Sequence, residues 1–145
     1  MMRHTCVGMA VLLLVSLVGC GRSLEPGKIP FQVTVNYNGA PISEAVVIFV
    51  SDGGTYANGL TDSNGVANMG TLEAGDGVFA GSYKVAVDKS ELISESDPND
   101  PTGNRILRSE AIFHVPAKYS DFIKSGLTAE VTEEGPHELT LDLVD

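Results

Sequence analysis

The chain has 145 residues, with 19 acidic against 9 basic side chains and a net charge of −10. That balance excludes a nucleic-acid binder, which needs a basic face, and disfavours adhesion to anionic lipid through the domain itself. The length suits a single domain with one packed core, and with only Cys6 and Cys20 present no disulfide framework is expected.

The amino-terminal segment has the order of a secretory signal. Arg3 precedes an apolar run at 7–18, and small residues follow it. The run is shorter than the ~20 residues of a membrane-spanning helix and is interrupted by Gly8 and Ser16. Leu17-Val18-Gly19-Cys20 resembles the lipobox of bacterial lipoproteins. The resemblance implies a signal peptide at 1–19, lipidation of Cys20, and a protein held by that lipid at the cell envelope rather than in the cytoplasm. Gly21, where inner-membrane retention favours Asp, leans towards an outer membrane, on its periplasmic or cell-surface face. Without residues 1–19 the balance is 8 basic against 19 acidic groups, and neither a disulfide nor a free nucleophilic thiol is left.

Residues 20–29, polar and broken by Pro26-Gly27, read as the lipidated Cys and a tether. Within the domain at 30–145, Phe31, Val33, Val35 and Tyr37 alternate with polar residues as in a half-buried strand. Asn38-Gly39 supplies a tight turn of positive φ. The apolar, β-branched run at 45–50 predicts a central strand covered on both faces. A turn at 51–55 and a weak strand at 56–61 come next. Asp62-Ser63-Asn64-Gly65 is a turn, followed by a short strand at 66–69. Residues 70–81 are glycine-rich loop, and 82–87 alternate again. A long acidic loop is expected at 89–110, a length usually mobile or functional. Short strands at 111–115, 127–131 and 139–143 complete the chain, with one possible helical turn at 120–125. The pattern calls for an all-β, single Greek-key β-sandwich of about seven short strands, immunoglobulin- or prealbumin-like.

Several of these segments together resemble bacterial lipoproteins that carry a carboxypeptidase-regulatory-like domain. They are the strand, Gly-x-Pro turn and strand through Val33, Gly39, Pro41, Val47 and Phe49; Thr61-Asp62-Ser63-Asn64-Gly65; Gly81-Ser82-Tyr83-Lys84-Val85; and Val115-Pro116 with Ser125-Gly126-Leu127. The family's domain is a small sandwich related in shape to transthyretin and to collagen-adhesin B-type repeats. The resemblance implies a fold and an anchor but no catalytic residues, and the His-x-x-Glu zinc motif of the carboxypeptidase catalytic domain is absent.

Chemistry-bearing patterns are sparse. Beyond the signal segment only His114 and His137 remain, neither near a second His. Asp62, Asn64 and Glu73 lack the glycine position of an EF-hand loop and read as a hairpin turn. Glu91, Glu95, Asp97, Asn99 and Asp100 form an oxygen-rich cluster, with Asp97, Asn99 and Asp100 the candidate calcium ligands; a solvated acidic loop is the simpler reading. Gly75–Gly81 precedes a strand, so it offers no helix N-terminus to a phosphate. No nucleophile elbow is present. Tyr37, Tyr56, Tyr83 and Tyr119 are candidates for a carbohydrate platform, although Tyr37 and Tyr83 sit at core-facing positions. The expectation is a lipid-anchored, non-enzymatic envelope module with no cofactor, structural or protein-interacting, bound to the membrane through Cys20 and to an envelope protein partner. The alternative is a ligand-binding module for calcium, carbohydrate or another small solute, built from the loops at 51–55, 70–80 and 89–108.

Overall fold

Alternating apolar residues become strand wherever they can share a core. A computed structural model describes residues 25–145; the expected signal peptide at 1–19 and the expected lipidation site Cys20 lie outside the described residues. The strands are β1 (Lys28–Ile29), β2 (Gln32–Tyr37), β3 (Ala40–Pro41), β4 (Val46–Ser51), β5 (Tyr56–Leu60) and β6 (Val66–Asn68). They continue with β7 (Val78–Phe79), β8 (Gly81–Asp88), β9 (Ser90–Ser96), β10 (Ile106–Phe113), β11 (Leu127–Val131) and β12 (Glu138–Leu143). A single 3-10 turn, Ala117–Ser120, is the helical element among the described residues. It lies just before the helical turn expected at 120–125.

One sheet has the order β11-β8-β4-β5, all antiparallel. In the other, β2 pairs in parallel with β12, while β3 and β6 share its second edge. β1 and β7 form a small ladder, and β9 and β10 form a hairpin apart from both sheets. The molecule is therefore all-β, with several sheets and an arrangement compatible with a sandwich. Among the described residues twelve strands replace the expected seven or so, because two-residue ladders such as β1, β3 and β7 are too short to show a period.

One face of each sheet feeds a common core. Val33 and Val35 of β2, Leu141 and Leu143 of β12, Val47 and Phe49 of β4, and Val85 and Val87 of β8 are buried. Phe49 meets the Phe31 ring edge-on at 5.9 Å and lies 5.5 Å from the Tyr83 ring. Tyr83 is buried because its hydroxyl donates to the Phe79 carbonyl at 2.8 Å. β4 is central in its sheet as expected, but it is covered on one face only. Val47 and Phe49 are fully buried, whereas Val46 is exposed and Ile48 half-buried.

Turn chemistry closes the hairpins. Asn38 and Gly39 both have positive φ, at 50° and 82°. Asp62 accepts the N–H groups of Asn64 and Val66 on one carboxylate oxygen, which holds its carboxyl below the usual range. Gly65 sits there at φ 76°, where a Cβ would lie 2.7 Å from the Val35 carbonyl oxygen. The expected turn is present, and a side chain has no room in it.

Strand register places every connection at one of two ends. Val46 faces Asp88 and Ser51 faces Tyr83, so the turn after β4 and the loop before β8 share one end. The hairpin that follows β8 leaves from the other, roughly 25 Å away along the strand. Glu25 and Lys28 lie at the first end, beside Thr55, Thr71 and Phe79.

Phe49→Ala should lower the unfolding free energy by about 3–5 kcal/mol, because it opens a cavity where the sheets meet. Urea midpoints of Phe49→Ala and Phe49→Leu check this; equal, small losses would show that Phe49 does not join the sheets.

Candidate functional site: a projecting hairpin

β9 and β10 stand where the sequence predicts a long acidic loop. The correction has a simple cause: periodicity reports burial, and every residue of both strands is exposed. With no buried face, Leu92-Ile93 and Ile106-Leu107 fall side by side instead of alternating. Cross-strand partners set Glu95 against Arg108, Ile93 against Glu110 and Glu91 against Ile112 on one face. Ser94 faces Ser109, Leu92 faces Ala111 and Ser90 faces Phe113 on the other, and a bulge falls at Leu107. Each face thus carries large apolar groups in water, with Leu92 71% and Ile93 51% exposed.

The arm is fixed at its root and tip rather than by a core. At the root, Lys89 Nζ donates to the Ser43 carbonyl and the His114 N–H donates to the Lys89 carbonyl, both at 2.8 Å. Val115, just beyond, is buried. At the tip, Asp100 receives the Thr102 hydroxyl and the N–H groups of Thr102, Asn104 and Arg105, which hold its carboxyl low. Asp97 receives the Asn99 N–H at 2.8 Å and pairs with Arg105 at 3.3 Å. The candidate calcium ligands Asp97, Asn99 and Asp100 therefore meet at the tip, where both carboxylates accept hydrogen bonds from the turn itself. Of the wider cluster, Glu91 lies at the root end of β9 beside His114, its Oε1 3.3 Å from Nε2, and Glu95 lies opposite Arg108. Among the described residues, no three or more His, Cys, Asp or Glu side chains gather as a metal site.

Two of the loops weighed for ligand binding, 51–55 and 70–80, share one end, and the hairpin occupies the other. The 70–80 loop is pinned internally. Asp76 accepts Lys28 Nζ at 2.7 Å and the N–H groups of Thr71, Leu72 and Glu73. The Lys28 ammonium first, and then these amides, drive the Asp76 carboxyl far below the usual carboxylate range. Asp76, then Glu25, raise Lys28 in return. The tyrosines do not form a platform: Tyr83 and Tyr119 are buried, Tyr37 is half-buried, and Tyr56 is exposed. His137 is exposed on a shallow groove with Gln32, Asn68 and Met69, no carboxylate lining it. No helix among the described residues is long and apolar enough to cross a membrane. No protein-family model matches the chain, and neither a curated protein nor a solved structure matches it significantly.

A carboxyl depressed by folding contributes stability above its unfolded pKa of about 3.9 and loses it as pH falls towards the folded value. Asp76→Asn should unfold at lower urea than the wild type at pH 7, with the gap narrowing below about pH 4. A gap constant from pH 7 to 2, followed by urea titration, would show that the Lys28–Asp76 pair is not its source.

Proposed function

We propose that this chain is a lipid-anchored, non-enzymatic module of the cell envelope that engages protein through its β9–β10 arm. The carrying observation is the arm itself: a two-stranded hairpin that, among the described residues, has no buried face, both outer edges unpaired and large apolar groups in water. Such a hairpin is marginal alone, and open edges invite strand addition. A partner strand added along β10 satisfies that edge and flanks Ile112 on one face and Phe113 on the other.

The lipobox-like sequence at Cys20 supplies the anchor in this reading, with 1–19 removed as signal peptide. Cys20 precedes Glu25 by few residues, a reach of at most about 18 Å. Glu25 lies at the end opposite the arm, so the tether and the arm leave the domain on opposite sides. The resemblance to carboxypeptidase-regulatory-like lipoproteins, and a Greek-key connection of the strands, complete the proposal. The small-solute reading gains no support from the separation of its loops.

Two measurements test it. Labelling cells with an alkyne fatty acid should mark the wild type and not Cys20→Ala, which should leave the membrane fraction. An unlabelled wild type would remove the anchor. A photo-crosslinking residue at Leu92 or Ile112 should capture protein in the envelope, while the same group at exposed Thr140 should not. Equal capture at all three positions, or none on the arm, would remove the arm as the interaction element.

A further inference from the structure

The arm offers two free edges, and they are chemically unlike. β9 carries Glu91 and Glu95 and no base between Ser90 and Ser96, whereas β10 carries Arg108 and Glu110 on one face. Their side chains bridge at 2.6 Å within the strand. We propose that the occupant of the β10 edge is a second copy of this chain, paired antiparallel about Ser109 to make a four-stranded sheet. This rests on the reading of the arm as the interaction element, but not on the lipid anchor.

Backbone direction supports the edge. His114 N–H donates to the Lys89 carbonyl. The ladder register then turns the N–H and C=O groups of Arg108, Glu110 and Ile112 towards β9. Those of Ser109, Ala111 and Phe113 face the open side. A two-fold axis through Ser109 makes Ser109 and its copy a hydrogen-bonded pair.

Side chains then select the register. With Ser109 on the axis, Arg108 lies opposite the copy's Glu110, and Glu110 opposite the copy's Arg108. These are non-hydrogen-bonded pairs, where Cα atoms approach to about 4.5 Å and side chains are nearest. Moving the axis one residue either way sets Arg108 against Arg108 or Glu110 against Glu110, which is unfavourable. The contact is isologous and closes as a dimer. The antiparallel arrangement leaves the two domains at opposite ends of the new sheet.

Sedimentation of the full chain in a density-matched detergent tests the proposal across the micromolar range. The wild type should sediment at twice the mass of one chain. Glu110→Arg should weaken the dimer about tenfold, and the double exchange Arg108→Glu with Glu110→Arg should restore it. Ala111→Pro removes a donor that faces the open edge and not β9, so it should give monomer with an unchanged circular dichroism spectrum. A monomeric wild type overturns the proposal, and so does a dimer indifferent to Glu110→Arg and Ala111→Pro, or one that the double exchange does not restore. If the wild type is monomeric while Leu92 and Ile112 still crosslink to other proteins in cells, self-pairing fails and the arm reading stands.

Discussion

Phe49 is where the two sheets become one structure. Its strand pairs with β8 and β5, yet its ring reaches Phe31, which leads into β2 of the opposite sheet. Two sheets without a disulfide or a packed helix between them have only such contacts to fix their separation. The valines of the same core, Val33, Val35, Val47, Val85 and Val87, are stiff at χ1 and suit a pleated surface. They form the walls of the core, and the aromatic trio spans it. Dispersion and burial, rather than polar networks, therefore hold this domain together.

Polar groups do a different and local job. No buried side-chain N or O among the described residues lacks a hydrogen-bond partner. Thr61 is almost fully buried, and its hydroxyl accepts the Ala45 N–H at 2.8 Å. Asp62, Asp76, Asp100 and Asp121 each gather nearby backbone N–H groups, and each carboxyl is held low by the groups it receives. Part of the acidity of this chain is thus spent inside its own turns, the oxygen-rich tip at Asp97–Asp100 included.

What the sequence made legible follows from burial. The strand at 127–131 matches β11 residue for residue, and Leu141 and Leu143 are buried at the alternate positions of β12. Tight turns at Asn38-Gly39 and Asp62–Gly65 were equally readable, since their residue types answer to backbone φ and to local hydrogen bonds. The hairpin was hidden for the converse reason. Ser90–Ser96 and Ile106–Phe113 bury neither face, so they carry strand composition without strand rhythm. Asp97-Pro98 and Asp100-Pro101 are loop signals that hold only for the tip. The available signal was an apolar content too high for a solvated loop, in Leu92-Ile93, Ile106-Leu107 and Ile112-Phe113.

The same exposure that erased the pattern gives the segment its interest. A core strand is specified by what it packs against within the chain; among the described residues β9 and β10 have no such neighbour, yet they keep six large apolar residues: Leu92, Ile93, Ile106, Leu107, Ile112 and Phe113. Exposed apolar residues scattered singly need no explanation, but six of them on the two faces of one projecting hairpin do. Charge on β9 guards one edge with two glutamates, a common device against indiscriminate strand addition. On β10 the charges alternate in sign on one face, which penalises misregistered copies and favours a single alignment. On the proposed pairing, an edge open on one side and guarded on the other would limit growth to a closed pair rather than an extending sheet. An exposed, apolar hairpin would then add one strand in one register rather than many.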